Sequence, residues 1–198
     1  MEEMFSAGLT LFFVMDPLGN LPIFLSVLGR IPQERRKIVL ARELAIAFVI
    51  MLVFLLLGQH FLDLFGLKTE SVSVGGGIVL FLISLKMIFP APPNEKREVH
   101  NNRDEEPFLV PLAVPLLAGP STLAILLLMQ ARQTDTQWYL FGSLLMAWSA
   151  SALILWSSGL LVRLLKVRGL IALERLMGMI LVTLATQMIL DGLKSFFS

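Results

Sequence analysis

Gly119-Pro120 falls inside an apolar run, about 108–130, that is long enough to cross a bilayer. That conjunction restricts the fold more than any other feature of the chain. Proline lacks an amide hydrogen and clashes with the turn before it, and the residue preceding it is pushed out of the α region. The run therefore cannot be one regular helix. In lipid, a backbone carbonyl freed by such a break needs protein, water or a ligand to satisfy it. The surrounding sequence is Pro111-Leu112-Ala113-Val114-Pro115-Leu116-Leu117-Ala118-Gly119-Pro120-Ser121-Thr122, with two hydroxyls directly after the last proline. A second break, Asp16-Pro17-Leu18-Gly19-Asn20-Leu21-Pro22, interrupts the first apolar run. Two interrupted spans in corresponding halves of a chain point to a transporter's binding site.

With 56% hydrophobic and 16% charged residues, the chain is not an ordinary soluble domain, and an all-α membrane protein is the expected class. A span needs roughly 20 mainly apolar residues. Six stretches qualify, at about 4–28, 41–63, 70–89, 108–130, 137–163 and 171–194. The Pro/Asn-rich, charged stretch 90–107 reads as the connection between halves. It divides the chain into a three-helix repeat at 1–93, a linker at 94–107 and a second three-helix repeat at 108–198. The start, Met1-Glu2-Glu3, is acidic where a signal peptide carries lysine or arginine, so the first run is expected to stay as a span. With no cysteine, disulfides and thiolate chemistry are excluded. A net charge of +1 gives no basic field for nucleic acid.

The basic residues divide by side. Connectors 1, 3 and 5 hold twelve (Arg30, Arg35, Arg36, Lys37, Arg42, Lys96, Arg97, Arg103, Arg163, Lys166, Arg168, Arg175), and the opposite side holds Lys68, Arg132 and Lys194. The positive-inside rule then sets the linker in the cytoplasm and both termini in the periplasm. A shift of 101 residues lays Gly77-Ile78-Val79-Leu80 over Gly178-Met179-Ile180-Leu181, and Lys86-Met87-Ile88 over Gln187-Met188-Ile189. Connector 1 is basic and its counterpart, connector 4, is not; connectors 2 and 5 reverse that bias. Such a flip is what two inverted repeats require. The expected fold is six transmembrane helices in two inverted three-helix repeats, with helices 1 and 4 broken.

The candidate site follows from the breaks. Asp16, Gly19 and Asn20 from the first, with Gly119, Ser121 and Thr122 from the second, are the candidate substrate-binding residues. Pro17, Pro22 and Pro120 are the breakers. Aspartate before proline is also an ordinary helix start, so Asp16 has two open readings. It either only caps, or it caps and also handles a ligand or proton, because intramembrane carboxylates are expensive. Asn20 can bond a neighbouring helix or a polar substrate. Ser121 and Thr122 can bond back to their own helix or face a ligand. Half-helix N-termini offer free amides and a positive dipole end, suited to an anionic group such as a carboxylate. Lys86 near a helix end can snorkel, and Gly75-Gly76-Gly77 reads as a close-packing patch. No spacing suggests a metal or cofactor, and coupling to H+ or Na+ stays open.

Several of these stretches together resemble the MarC family of bacterial inner-membrane proteins. They are Asp16-Pro17-Leu18-Gly19-Asn20-Leu21-Pro22-Ile23-Phe24, Gly76-Gly77-Ile78-Val79-Leu80-Phe81-Leu82-Ile83, the run from Glu106-Pro107-Phe108 to Pro120, Glu174-Arg175-Leu176-Met177-Gly178, and Ala185-Thr186-Gln187-Met188-Ile189-Leu190-Asp191-Gly192. The resemblance runs nearly end to end. It implies six spans and a fold related to amino acid exporters, some relatives being credited with moving glycine and alanine. It also carries an older association with antibiotic resistance. The family pattern often has Gly or Ala after Gly-Pro, where this chain has Ser121-Thr122.

The expected function is a multi-pass inner-membrane secondary transporter of small neutral amino acids, with a small-molecule substrate and the lipid bilayer as its partners. The alternatives are a drug efflux transporter and a structural or regulatory subunit that transports nothing. Oligomeric state stays open. The orientation is directly testable: a C-terminal reporter active only in the periplasm should be active, and one inserted at 94–104 should behave as cytoplasmic. Reversed signals would remove both the orientation and the charge argument for inversion.

Overall fold

A computed structural model describes residues 2–29, 31–89, 117–132 and 137–197. The linker 94–107, the boundary it defines and the first half of the fourth run lie outside the described residues. Seven α-helices and no strand are present among the described residues: α1 (Glu2–Met15), α2 (Leu21–Gly29), α3 (Gln33–Phe65), α4 (Thr69–Ile88), α5 (Pro120–Arg132), α6 (Gln137–Trp156) and α7 (Ser158–Phe197).

The first run is broken where its proline requires. At 14 and 9 residues, α1 and α2 are each too short to cross. Neither reaches ~30 Å of hydrocarbon at about 1.5 Å per residue. Four helical stretches are long and apolar enough: Gln33–Gly58, Thr69–Ile88, Trp138–Trp156 and Arg168–Phe197. About a third of each faces inward, which leaves Leu56, Leu82, Leu153 and Met179 among the side chains on the outer surface.

Two boundaries differ from the sequence expectation. The apolar pattern starts the second span at about 41, yet α3 begins at Gln33 and takes in the basic connector. Pro32 stands just before it, where a missing amide does no harm. Arg36 folds back, donating from Nε to Ile31 O at 2.9 Å and reaching Gly29 O at 3.5 Å, so the end of α2 is covered. The same pattern runs the fifth span unbroken to 163, but the helix is interrupted at Ser157, whose hydroxyl donates to Ile154 O at 3.1 Å. Lys166 then has φ 52 and ψ 178, dividing α7 at the connector expected between spans 5 and 6. At the far end of α3, Gly66 (φ 61) closes the helix; its N–H donates to Asp63 O and that of Leu67 to Leu62 O. This is the Schellman pattern, which needs a left-handed residue.

The most extensive contact is α4 along α7; α1 packs on α6, and α5 packs on both α3 and α4. Without a hydrophobic drive between helices in lipid, such contacts rest on close approach and interhelical hydrogen bonds. A methyl placed on Gly77 would lie 2.7 Å from Ile189 Cγ1 and 3.0 Å from Ala185 O. One on Gly178 would lie 2.9 Å from Ile88 Cγ1 and 3.1 Å from Ser84 O. Ser73 Oγ donates to Met188 O at 2.8 Å, joining the same two helices. Trp148 Nε1 donates to Leu44 O at 3.0 Å, and its ring lies 5.0 Å from that of Phe48, tying α6 to α3. Trp138 and Tyr139 are exposed at the start of α6, in keeping with interfacial anchors.

Gly77→Ala should therefore destabilise the fold by about 1–3 kcal/mol through overpacking. Gly75, where an added methyl would meet nothing within 4 Å, is the control. Gly75→Ala should be neutral or stabilising by about 0.5–1 kcal/mol. Thermal unfolding of the two variants in one detergent makes the comparison.

Candidate functional site

Helix α1 ends on a bifurcated bond, Asp16 N donating to Phe12 O and Phe13 O at 3.1 Å each. Proline at 17 disfavours helix at the residue before it. Asp16 turns into the left-handed region at φ 43, which aspartate tolerates better than most residues. Its carboxylate then closes the turn: Oδ1 accepts from Gly19 N at 3.0 Å. That is a capping contact, made across the turn Pro17–Asn20, with regular helix resuming only at Leu21. A side chain at Gly19 would have to displace the Asp16 carboxylate and the Met87 methyl. Asn20 Nδ2 donates to Met15 O at 3.3 Å, satisfying a carbonyl at the end of α1. Pro17 is fully buried under this turn, and Pro22 lies half-buried in the first turn of α2.

The second break is simpler. Gly119 is buried and Pro120 opens α5 from an exposed position. The first helical bond runs from Leu123 N to Gly119 O at 3.0 Å, so the amides of Ser121 and Thr122 precede the ladder. Both side chains are buried, at 4% and 1% exposure. Neither hydroxyl makes a hydrogen bond among the described residues, so the back-bonding alternative is not what is seen.

The two breaks meet around one cavity of about 40 Å³. Asp16 and Asn20 line it from one side, Gly119, Ser121 and Thr122 from the other, and Val14, Leu80, Ile83 and Leu181 supply the apolar wall. Of the six candidate residues, only Gly19 is absent from the lining; it packs behind Asp16. The break motifs give no hint of the apolar wall, although a signal for it exists: Leu80 and Leu181 are the residues matched by the shift of 101. Asn20 and Ser121 are matched by the same shift.

The cavity has two poles. The carbonyl end of α1 gives one side a negative dipole end, and the N-terminus of α5 gives the other a positive one. It has room for a few waters, far below the ~300–1,000 Å³ of drug-sized pockets. Lys86 is exposed and not part of it. Gln187 bonds Asp191 Oδ1 at 2.9 Å, one turn along its own helix. Among the described residues no group of three or more His, Cys, Asp or Glu could share a metal ion.

The family model described as MarC family integral membrane protein matches residues 1–197. The chain belongs to the MarC family. Among its MarC relatives, the UPF0056 inner membrane protein YhgN of Escherichia coli K12 is 49% identical over 194 residues, covering 98% of each chain. A UPF0056 membrane protein of Buchnera aphidicola subsp. Baizongia pistaciae is 51% identical over 197 residues, covering 100% of this chain and 99% of its own. One from the archaeon Pyrococcus horikoshii is 29% identical over 191 residues, covering 94% and 92%. No solved structure matches. The chain is thus an integral membrane protein of this family, and its bacterial relatives include proteins named for the inner membrane.

Asn20 gives a local test of how the first break is held. Asn20→Asp replaces the donor to Met15 O with an acceptor, leaving a buried carbonyl unmatched at a cost of about 1–3 kcal/mol. Amide hydrogen exchange should quicken by roughly 5- to 100-fold across 13–21 and stay unchanged in the α4–α7 contact. Equal exchange in both regions would show that another group holds the break.

Proposed function

We propose that this protein is a secondary transporter of small neutral amino acids, working by alternating access around the cavity between the two breaks. The observation that carries the reading is the polarity of that cavity. Ser121, Thr122 and the α5 N-terminus suit a carboxylate, and Asp16 with the α1 C-terminus suits an ammonium group. A free amino acid carries both charges a few ångströms apart. The small volume and aliphatic wall favour a short side chain.

Support for alternating access comes from the packing. Gly77 meets Ala185 and Ile189 while Gly178 meets Ser84 and Ile88, and every one of these pairs is related by the shift of 101. A contact in which i meets j′ and i′ meets j is the signature of a two-fold axis. The neighbours follow the same exchange: the first span packs on the fifth, and the fourth on the second. Both features favour two inverted three-helix repeats, and the bias of basic residues favours both termini periplasmic and the linker cytoplasmic. Rocking one repeat against the other would expose the cavity to each side in turn. Drug efflux fits less well, because the cavity is small and its lining contains no aromatic ring. A non-transporting subunit would have no reason to join both breaks around one polar space.

Uptake of a panel of labelled amino acids into proteoliposomes, with and without proton and sodium gradients, tests the function. Thr122→Ala should weaken apparent affinity about 10- to 100-fold, the loss of a hydrogen bond to a charged group, with yield unchanged. Lys68→Ala, at the start of α4, should do little. Asn tolerates the left-handed region and caps as well as Asp. Asp16→Asn should therefore fold normally and lose gradient-driven transport, while Asp16→Ala should lose the cap as well, at about 1 kcal/mol. Normal transport by Asp16→Asn would reduce Asp16 to a cap.

A further inference from the structure

Two methionines stand at the ends of the cavity. On α4 the wall residues Leu80 and Ile83 are followed on the same helix face by Met87, seven and four residues on. On α7 the wall residue Leu181 is followed seven residues on by Met188. The shift of 101 relates Met87 to Met188 as it relates Leu80 to Leu181. Helices α4 and α7 run antiparallel, with Gly77 beside Ala185 and Ile189 and Gly178 beside Ser84 and Ile88. The methionines therefore point toward opposite ends of the pair. Met188 lies level with Gly76, and from Gly76 to Met87 is about 17 Å along α4, with Leu80 and Ile83 midway between.

Each side chain occupies a slot between small residues of two other elements. The Met87 methyl fills the space over Gly19 beside the Asp16 carboxylate, and Met87 Cβ would lie 3.1 Å from a methyl on Gly178. The Met188 methyl would lie 3.3 Å from one on Gly76, a point that also adjoins Ala124 Cβ, one turn after Pro120. Met87 thus reaches from α4 past α7 to the first break, and Met188 from α7 past α4 to the helix that follows the second. Met87 is 8% exposed and Met188 is half-buried. The backbone of Met188 is pinned, its carbonyl accepting from Ser73 Oγ at 2.8 Å, so movement falls to the side chain. Methionine is unbranched with three rotatable bonds, and it can vacate a narrow slot by rotation alone. A methionine that only filled a gap would have no reason to recur at the equivalent place beyond each break.

We propose that Met87 and Met188 are the side-chain gates of the cavity, one closing each of its two ends. Rotation of either side chain clears one route while the helices keep their packing. That the gates open in turn rests on the transport reading; that each closes one end does not.

The chain has no cysteine, so Ser121→Cys sets a single thiol in the cavity wall. The full-length variant is placed in lipid vesicles of one orientation. A small charged methanethiosulfonate, which does not cross lipid, is added from one side at a time, and intact mass reads the labelling rate. Adding Met87→Ala should speed labelling about 10-fold from one side, and adding Met188→Ala by a similar factor from the opposite side, each a barrier lowered by about 1.4 kcal/mol. Met87→Leu and Met188→Leu, which keep the bulk, should leave labelling slow. So should Met179→Ala, 57% exposed on the outer surface of α7. Should an alanine variant fail to fold, Met87→Cys and Met188→Cys, each the single thiol in an otherwise unchanged chain, take its place and should react from opposite sides. Folded alanine variants that speed labelling from the same side, or not at all, overturn the proposal, as do two single cysteines that react from one side. No solute is present in these measurements, so a chain that transports nothing gives the same answer about its gates.

Discussion

The requirement that lipid offers no hydrogen bonds to a peptide backbone governs this molecule. Each break in a span frees carbonyls and amides that water would otherwise satisfy, and the local sequence supplies replacements. At the first break the replacements are side chains: Asn20 serves Met15 O, and the Asp16 carboxylate serves Gly19 N. At the second, glycine and proline reduce the demand, since Pro120 has no amide to satisfy. The amides of Ser121 and Thr122 stay ahead of the helical ladder, next to a polar space. A segment that only needed a kink would have no use for two buried hydroxyls there.

Close packing holds the breaks against each other. The wall formed by Leu80 and Leu181 lies one turn from Gly77 and Gly178, so the glycine contacts that draw α4 and α7 together also fix the width of the cavity. Enlarging either glycine would push the leucines apart. The hydroxyl of Ser73, bonded to Met188 O, sets the register of the same pair at its other end. Packing and cavity are therefore one mechanical unit, and an apparently structural glycine in α4 bears on the size of the cavity.

Most of this architecture is legible in the sequence because prolines and charges in an apolar chain have few permissible positions. Asp16-Pro17 and Gly119-Pro120 announce the breaks, and the basic residues mark the connectors. Helix starts are less legible. Amphipathic charge in Gln33–Lys37 looks like a loop, yet those residues continue α3, because a helix projecting beyond lipid can hydrate its side chains and keep its backbone bonds. Ser157 carries no breaker signal at all, being one small residue among many in that span. The burial of Glu43 is hidden for a different reason: beside Arg42, the residue looks like the end of a charged connector. Only the helical phase, which turns Glu43 inward and Arg42 outward, separates the two. The apolar wall is hidden because leucine among leucines has no local mark.

In the transport reading, the polarity of the cavity also explains why two breaks are needed. Burying an ionised group leaves a penalty of several kcal/mol unless it is matched, and a zwitterion presents two such groups at once. A single break offers one helix end and hence one sign of dipole. Matching both charges takes the C-terminal end of one half-helix and the N-terminal end of another, meeting across a gap as wide as the solute backbone. In this chain the negative pole belongs to α1 and the positive pole to α5, which lie in different halves of the sequence. Any motion of one half against the other must therefore separate the poles. A solute held by both loses one partner and exchanges it for water on whichever side has opened, so release is built into the same geometry that binds.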